Sequence, residues 1–169
     1  MTVPTLTTAR LVLRTMRIAD WPGYAALMGS ERAEYMGGPF GVAAAWGMFC
    51  SDHAQWEFYG SGALMIEDRA SGRTLGQVAI NRGPLFPEPE LGWMVWPDAE
   101  GRGIAFEAAR AMLDWAQGQA GLDSLVSYVD PGNARSITLA LRLGAVRDAT
   151  AARPDPADLV FCHRVRARA

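Results

Sequence analysis

The stretch WPDAEGRGIAFEAARAMLDW (Trp96–Trp115) constrains this chain more than any other. Pro97 closes whatever strand precedes it, two glycines then flank one arginine, and small and apolar residues follow at helical spacing. Glycine allows positive φ and a close approach of another molecule to the backbone. The N–H groups of a first helical turn have no partner inside the helix. Such a turn either holds an anion, most often a phosphate, or simply starts a helix. Arg102 would add a charge-assisted contact to an anion, whereas Glu100 sets a like charge beside it. A dinucleotide fingerprint fails, because the third small residue of G-x-G-x-x-G falls at the bulky Phe106.

The elements around this turn follow from periodicity and punctuation. Residues 9–16 alternate as a strand, and Asp20 is placed to cap a helix from Trp21 to Gly29 that tolerates Pro22 in its first turn. Residues 41–60 lack proline and read as a helix. Residues 63–68 and 75–81 read as strands joined by the turn 70–73, and the proline-rich 83–89 as a loop. A strand over 90–97 leads into the glycine turn. The helix from Ile104 to Gln119 is weakened and stopped by Gly118 and Gly121. A strand over 124–130, a helix over 133–144 ending at Gly144, and strands over 145–150 and 158–166 complete the order β α α β β β α β α β β. This predicts an α/β (mixed α+β) architecture with about four helices on one sheet. With 169 residues and no convincing linker, the chain is expected to be a single domain, 1–169.

Composition removes several functions. Half of the residues are hydrophobic, enough for a core, yet no apolar run approaches the ~20 residues of a membrane span. The first ten residues lack the basic start and apolar stretch of a secretion signal, so a cytoplasmic protein is expected. A net charge of −2 argues against nucleic-acid binding through a large basic surface. All 16 basic residues are arginine, which excludes lysine Schiff-base chemistry and a P-loop. Cys50 and Cys162 read as small hydrophobes rather than a disulfide. No metal is expected at Cys50, His53, Cys162 and His163, since the adjacent Cys162 and His163 point to opposite faces of a strand.

The segment ELGWMVWPDAEGRGIAFEAARAML resembles the acyl-CoA-binding segment of the GNAT N-acetyltransferases, and most closely the RimJ/RimL-like branch. Glu100-Gly101-Arg102-Gly103-Ile104-Ala105 stands where that family carries Q/R-x-x-G-x-G/A, with Glu in place of the first Gln or Arg. TTARLVLRTMRIADW, GRTLGQVAI and NARSITLALRLGA resemble, in the family's order, its opening strand, central hairpin and N-x-x-S helix. The resemblance covers nearly the whole chain. It implies the GNAT fold, a strongly twisted mixed sheet splayed between its fourth and fifth strands. It also implies acetyl-CoA as co-substrate, with Gly101, Arg102, Gly103, Ile104 and Ala105 cradling the diphosphate and no metal.

The chemistry that this implies needs a neutral amine, a polarised thioester carbonyl and a protonated leaving thiolate. At pH 7 neutralising an α-amine of pKa about 7.7–8.0 costs about 1–1.4 kcal/mol, against 4–5 for a lysine. A weak base working through water would therefore serve. Glu90 is the candidate base, ahead of Glu88 and Glu34. A backbone N–H of Met94 or Val95 is the candidate oxyanion contact. The tyrosine that many members place before the helix-ending glycine is Ala140 here. Ser136 is then the candidate donor to the thiolate, and Asn133 a pantetheine contact as well as a helix cap. Tyr128 reads as a sheet residue. Trp46, Trp56, Trp93 and Trp96 read as core, with one or two left to line an acceptor groove. Arg135 and Arg142 read as surface, with contact to the nucleotide 3′-phosphate as the alternative. The expected activity is acetyl transfer by direct attack of a primary amine, a protein N-terminus or a small molecule, in a ternary complex. A non-catalytic acyl-CoA sensor on the same fold is the alternative, and a homodimer through the sheet's edge strands is left open.

Overall fold

A computed structural model describes residues 2–119 and 122–165. Gly121, the expected helix stop, and Arg166, the expected end of the last strand, lie outside the described residues. Among the described residues eight strands form one mixed sheet: β1 (Leu6–Thr7), β2 (Leu11–Arg14), β3 (Ala63–Asp68), β4 (Thr74–Asn81), β5 (Glu90–Val95), β6 (Leu125–Val129), β7 (Val146–Arg147) and β8 (Leu159–His163), in the order β1-β2-β3-β4-β5-β6-β8-β7. Among the described residues four α-helices flank it: α1 (Trp21–Met28), α2 (Val42–Tyr59), α3 (Ile104–Ala116) and α4 (Ala134–Arg142). The short β1, paired antiparallel with β2, was not expected and moves every later strand number up by one.

Both faces of the central strands are buried, which is why Ala63-Leu64-Met65-Ile66 is a continuous apolar run with no exposure. Leu64, Ile66, Val78, Ile80 and Leu91 face α3, whose Ile104, Ala108, Met112 and Ala116 form a stripe at four-residue spacing. Ala63, Met65 and Ala79 face α1 and α2 through Tyr24, Met28, Ala45 and Phe49. Asp20 does not cap α1. Its carboxylate takes two hydrogen bonds from the buried Arg14 guanidinium, at 2.9 and 2.8 Å, and one from the Arg17 N–H at 2.8 Å. A charged partner that cannot reach water outcompetes a helix terminus for that oxygen pair.

The sheet opens where the resemblance implied. β4 and β5 pair over six positions, from Asn81↔Glu90 to Gly76↔Val95. β5 and β6 run parallel and meet in register only at Glu90↔Val126. Past that point they diverge, leaving a split between the ends of β5 and β6 that lead into α3 and α4.

Candidate active site

The β5–α3 connection sits at the mouth of the split. A short 3₁₀ turn, Pro97–Ala99, is anchored by the buried Ala99, after which Gly101 and Gly103 take φ of 70° and 74°. An added Cβ at Gly101 would meet nothing within 4 Å, and no side chain caps α3. The turn is thus open at Gly101, and the first N–H groups of α3, at Ile104 and Ala105, lie at a dipole end that favours an anion. Arg10 braces the turn from β2's side: it donates to the Arg102 carbonyl (2.9 Å) and to Glu107 Oε2 (2.7 Å). Thr8 donates to the other Glu107 oxygen at 2.5 Å. The T-x-R-L pattern at the start of the chain therefore serves the glycine turn nearly a hundred residues later. Arg102 itself is exposed. Phe106, which spoils the dinucleotide fingerprint, carries the Arg142 guanidinium 4.6 Å above its ring.

Glu90 stands at the hinge of the split. Burial pushes its carboxyl up to about 7, against opposing hydrogen bonds from Asn81 Nδ2 (3.0 Å) and the Tyr128 backbone N–H. The negative charges of Asp158 and Asp52 push it in the same direction as burial. Asp52, on α2, is a second perturbed carboxyl: burial raises it to about 6, although Gln77 and Tyr24 both donate to its Oδ2, at 3.1 and 2.9 Å. Sequence reasoning passed over Asp52. The signal was its place on the buried stripe of α2, Ala45, Phe49, Asp52 and Trp56, where a carboxylate is out of pattern. The other acids considered are less suited. Glu34 is exposed on the 3₁₀ helix Glu31–Met36, and Glu88 is tied through its N–H to the Tyr128 hydroxyl at 3.1 Å.

Backbone polarity along β5 follows from its ladder. The Trp96 N–H donates to the Leu75 carbonyl on the β4 side, and the Leu91 carbonyl accepts from Ser127 Oγ on the β6 side. Alternation then sends the Met94 N–H toward β4 and those of Trp93 and Val95 into the split. On the far wall Asn133 caps α4, accepting from the Ser136 N–H at 3.1 Å. Ser136 Oγ accepts from Trp93 Nε1 at 3.2 Å, which leaves its own proton free to donate elsewhere. Of the tryptophans, Trp56 is core, Trp93 and Trp96 are half-buried, and Trp46 is exposed.

Among the described residues no three His, Cys, Asp or Glu side chains group closely enough to hold a metal ion, and no helix is long and apolar enough to cross a membrane. His163 is buried against Ser127 Oγ (2.9 Å), and burial lowers its pKa to about 4. Cys50 and Cys162 are free thiols, and burial raises that of Cys162.

Residues 10–146 match the acetyltransferase (GNAT) domain, and the chain belongs to that family of acyltransferases. An acetyltransferase of known structure from Agrobacterium tumefaciens str. C58 is 48% identical, covers 97% of this chain and 96% of its own, and superposes with a TM-score of 0.94. RimL, the ribosomal L7/L12 α-N-protein acetyltransferase solved with coenzyme A, shares the fold at 13% identity, with 96% of this chain and 98% of its own covered and a TM-score of 0.75. YkkB from Bacillus subtilis (strain 168), an uncharacterized protein, is 34% identical over 88 residues. That match spans about half of the curated relative's length and half of this chain.

Proposed function

We propose that the whole chain works as one cytoplasmic acetyl-CoA-dependent N-acetyltransferase domain, transferring the acetyl group to a primary amine by direct attack in a ternary complex. The observation that carries this reading is the split itself: one bridge at Glu90↔Val126, an open glycine turn at the mouth and a carboxyl near neutrality at the hinge. Two free cysteines suit a reducing compartment.

Gly101, Arg102, Gly103, Ile104 and Ala105 hold the diphosphate, and Asn133 lies beside the path of the pantetheine arm. Bound acetyl-CoA supplies the thioester carbonyl, whose C–S bond breaks as the amine nitrogen adds to the carbon. Glu90 takes the proton that the nitrogen loses, a task for which a carboxyl near 7 is matched to an amine near 8. The Val95 N–H, rather than that of Met94, faces the developing oxyanion. Ser136 directs its free hydroxyl hydrogen bond at the departing sulfur, which leaves as the thiolate and takes up a proton from solvent as Glu90 returns the one it took from the amine.

A panel of α-amino peptides, amino acids, diamines and aminoglycosides, read by thiol release from acetyl-CoA and by mass spectrometry, tests this. The expected result is one product heavier by a single acetyl group. Tight acetyl-CoA binding with no release over the whole panel would instead mark a carrier-binding module.

A further inference from the structure

Glu100 opens the glycine turn with a negative charge where an anion is to bind, and the structure gives that charge two cations. Arg32 Nη2 lies 2.7 Å and Arg135 Nη1 2.5 Å from one carboxylate oxygen, Oε2. The two arginines come from separate elements flanking the split: Arg32 from the 3₁₀ helix Glu31–Met36, Arg135 from the first turn of α4. Tyr35 closes the same gap, its ring 3.2 Å from where a Cβ of Gly132 would lie on the β6–α4 loop.

Arg135 does not sit where its own element favours a cation. The macrodipole at the start of α4 prefers a negative charge, yet its first turn holds Arg135 and no acid. Arg32 directly follows Glu31 in its own first turn, with its N–H already taken by Ser30 Oγ. Glu31 and Glu34 lie in the same first turn as Arg32, yet its guanidinium, like that of Arg135, pairs with Glu100. The arrangement is easily exchanged: the Arg135 side chain is 75% exposed and that of Arg32 44%, and pairs this open to water are weak. A phosphate carries more acceptor oxygens than a carboxylate and suits the planar guanidinium better.

We propose that Arg32 and Arg135 are phosphate-binding residues, and that Glu100 holds them until a phosphate of the acyl carrier displaces its carboxylate. This rests on the acetyl-CoA reading above. Glu100 then acts as a built-in competitor: it keeps both arginines aimed at the mouth and lowers carrier affinity in return. The departure from Gln or Arg at this position becomes a device for weaker, readily reversed carrier binding.

Calorimetric titration of the full chain with CoA and with 3′-dephospho-CoA, each at low and high salt, tests the hand-over. Glu100→Gln is expected to tighten CoA by about two- to tenfold, since the competitor loses its charge. Arg135→Ala and Arg32→Ala are each expected to weaken it by about three- to tenfold and to flatten its salt dependence. Loss of the arginine effect with 3′-dephospho-CoA assigns the 3′-phosphate; its persistence assigns the diphosphate. The proposal is overturned if both arginine variants bind CoA as the wild type does, or if Glu100→Gln weakens CoA, which would make the three side chains a structural brace. Melting curves of the variants separate that brace from lost folding. A wild-type chain that binds no CoA at all overturns the carrier reading itself, and the hand-over with it.

Discussion

Replacing Glu90 with Gln should make the protein more stable at alkaline pH and leave it nearly unchanged in acid. The carboxyl stands at about 7 in the fold against an ordinary 4.5. Between those values the folded chain holds a proton that the unfolded chain has released, so stability falls as pH rises through this window. At 1.36 kcal/mol per pH unit, the cost of holding Glu90 at its folded value is about 3 kcal/mol at pH 8 and about 0.2 kcal/mol at pH 4. Gln carries no charge and keeps an oxygen for Asn81 Nδ2. For a chain of this length about 1 kcal/mol moves Tm by roughly 2–4 °C. Glu90→Gln should then raise Tm by roughly 6–12 °C at pH 8, with the gain vanishing near pH 4. Differential scanning calorimetry across pH 4–9 reads this directly and needs no knowledge of the acceptor. An equal Tm difference at both ends would mean that Glu90 is an ordinary, ionised surface acid, and the proposed base would lose its tuning. With an acceptor in hand, the rising limb of kcat/KM near pH 7 should disappear in the same variant.

Three further outcomes follow from the site. Asp52→Asn removes a negative charge that pushes Glu90 up, so the Glu90 limb should move to lower pH by between about 0.3 and 1 unit; a fixed pH–rate profile would show the two carboxyls to be uncoupled. Ser136→Ala should lower kcat by about 10- to 100-fold, the worth of one hydrogen bond to a developing thiolate, with CoA affinity nearly constant; wild-type turnover would remove it as the donor. Gly103→Val puts a branched residue at φ of 74°, a strain of about 1–2 kcal/mol or more, and should raise the KM for acetyl-CoA about tenfold; an unchanged KM would take the phosphate away from this turn.

The glycine turn and the helix after it were legible because they depend on local signals, whereas the split between the strands was expected only from the family resemblance. The Pro97 strand stop, the Gly101–Gly103 pair and the four-residue stripe of α3 each act within a few residues, and periodicity reports such features well. β1 escaped notice because two residues carry no periodicity, and Leu6–Thr7 becomes a strand only by pairing with β2. Asp20 was misread for a related reason. A helix-cap pattern is local, but the winning partner, Arg14, is fixed by strand register as well as by sequence.

The charges around the site show the same limit more sharply. Read along the chain, Glu100 is an unfavourable neighbour for an anion, Arg135 a surface residue with a nucleotide phosphate as its alternative partner, and Arg32 nothing at all. Their meaning is set by three elements, 68 and 35 residues apart along the chain, that meet only once the sheet opens. Asp52 and Glu90 are likewise joined by the fold, α2 laying one carboxyl over the face of β4 and β5 that carries the other. A sequence states which groups could ionise; the meeting of elements decides which of them feel one another.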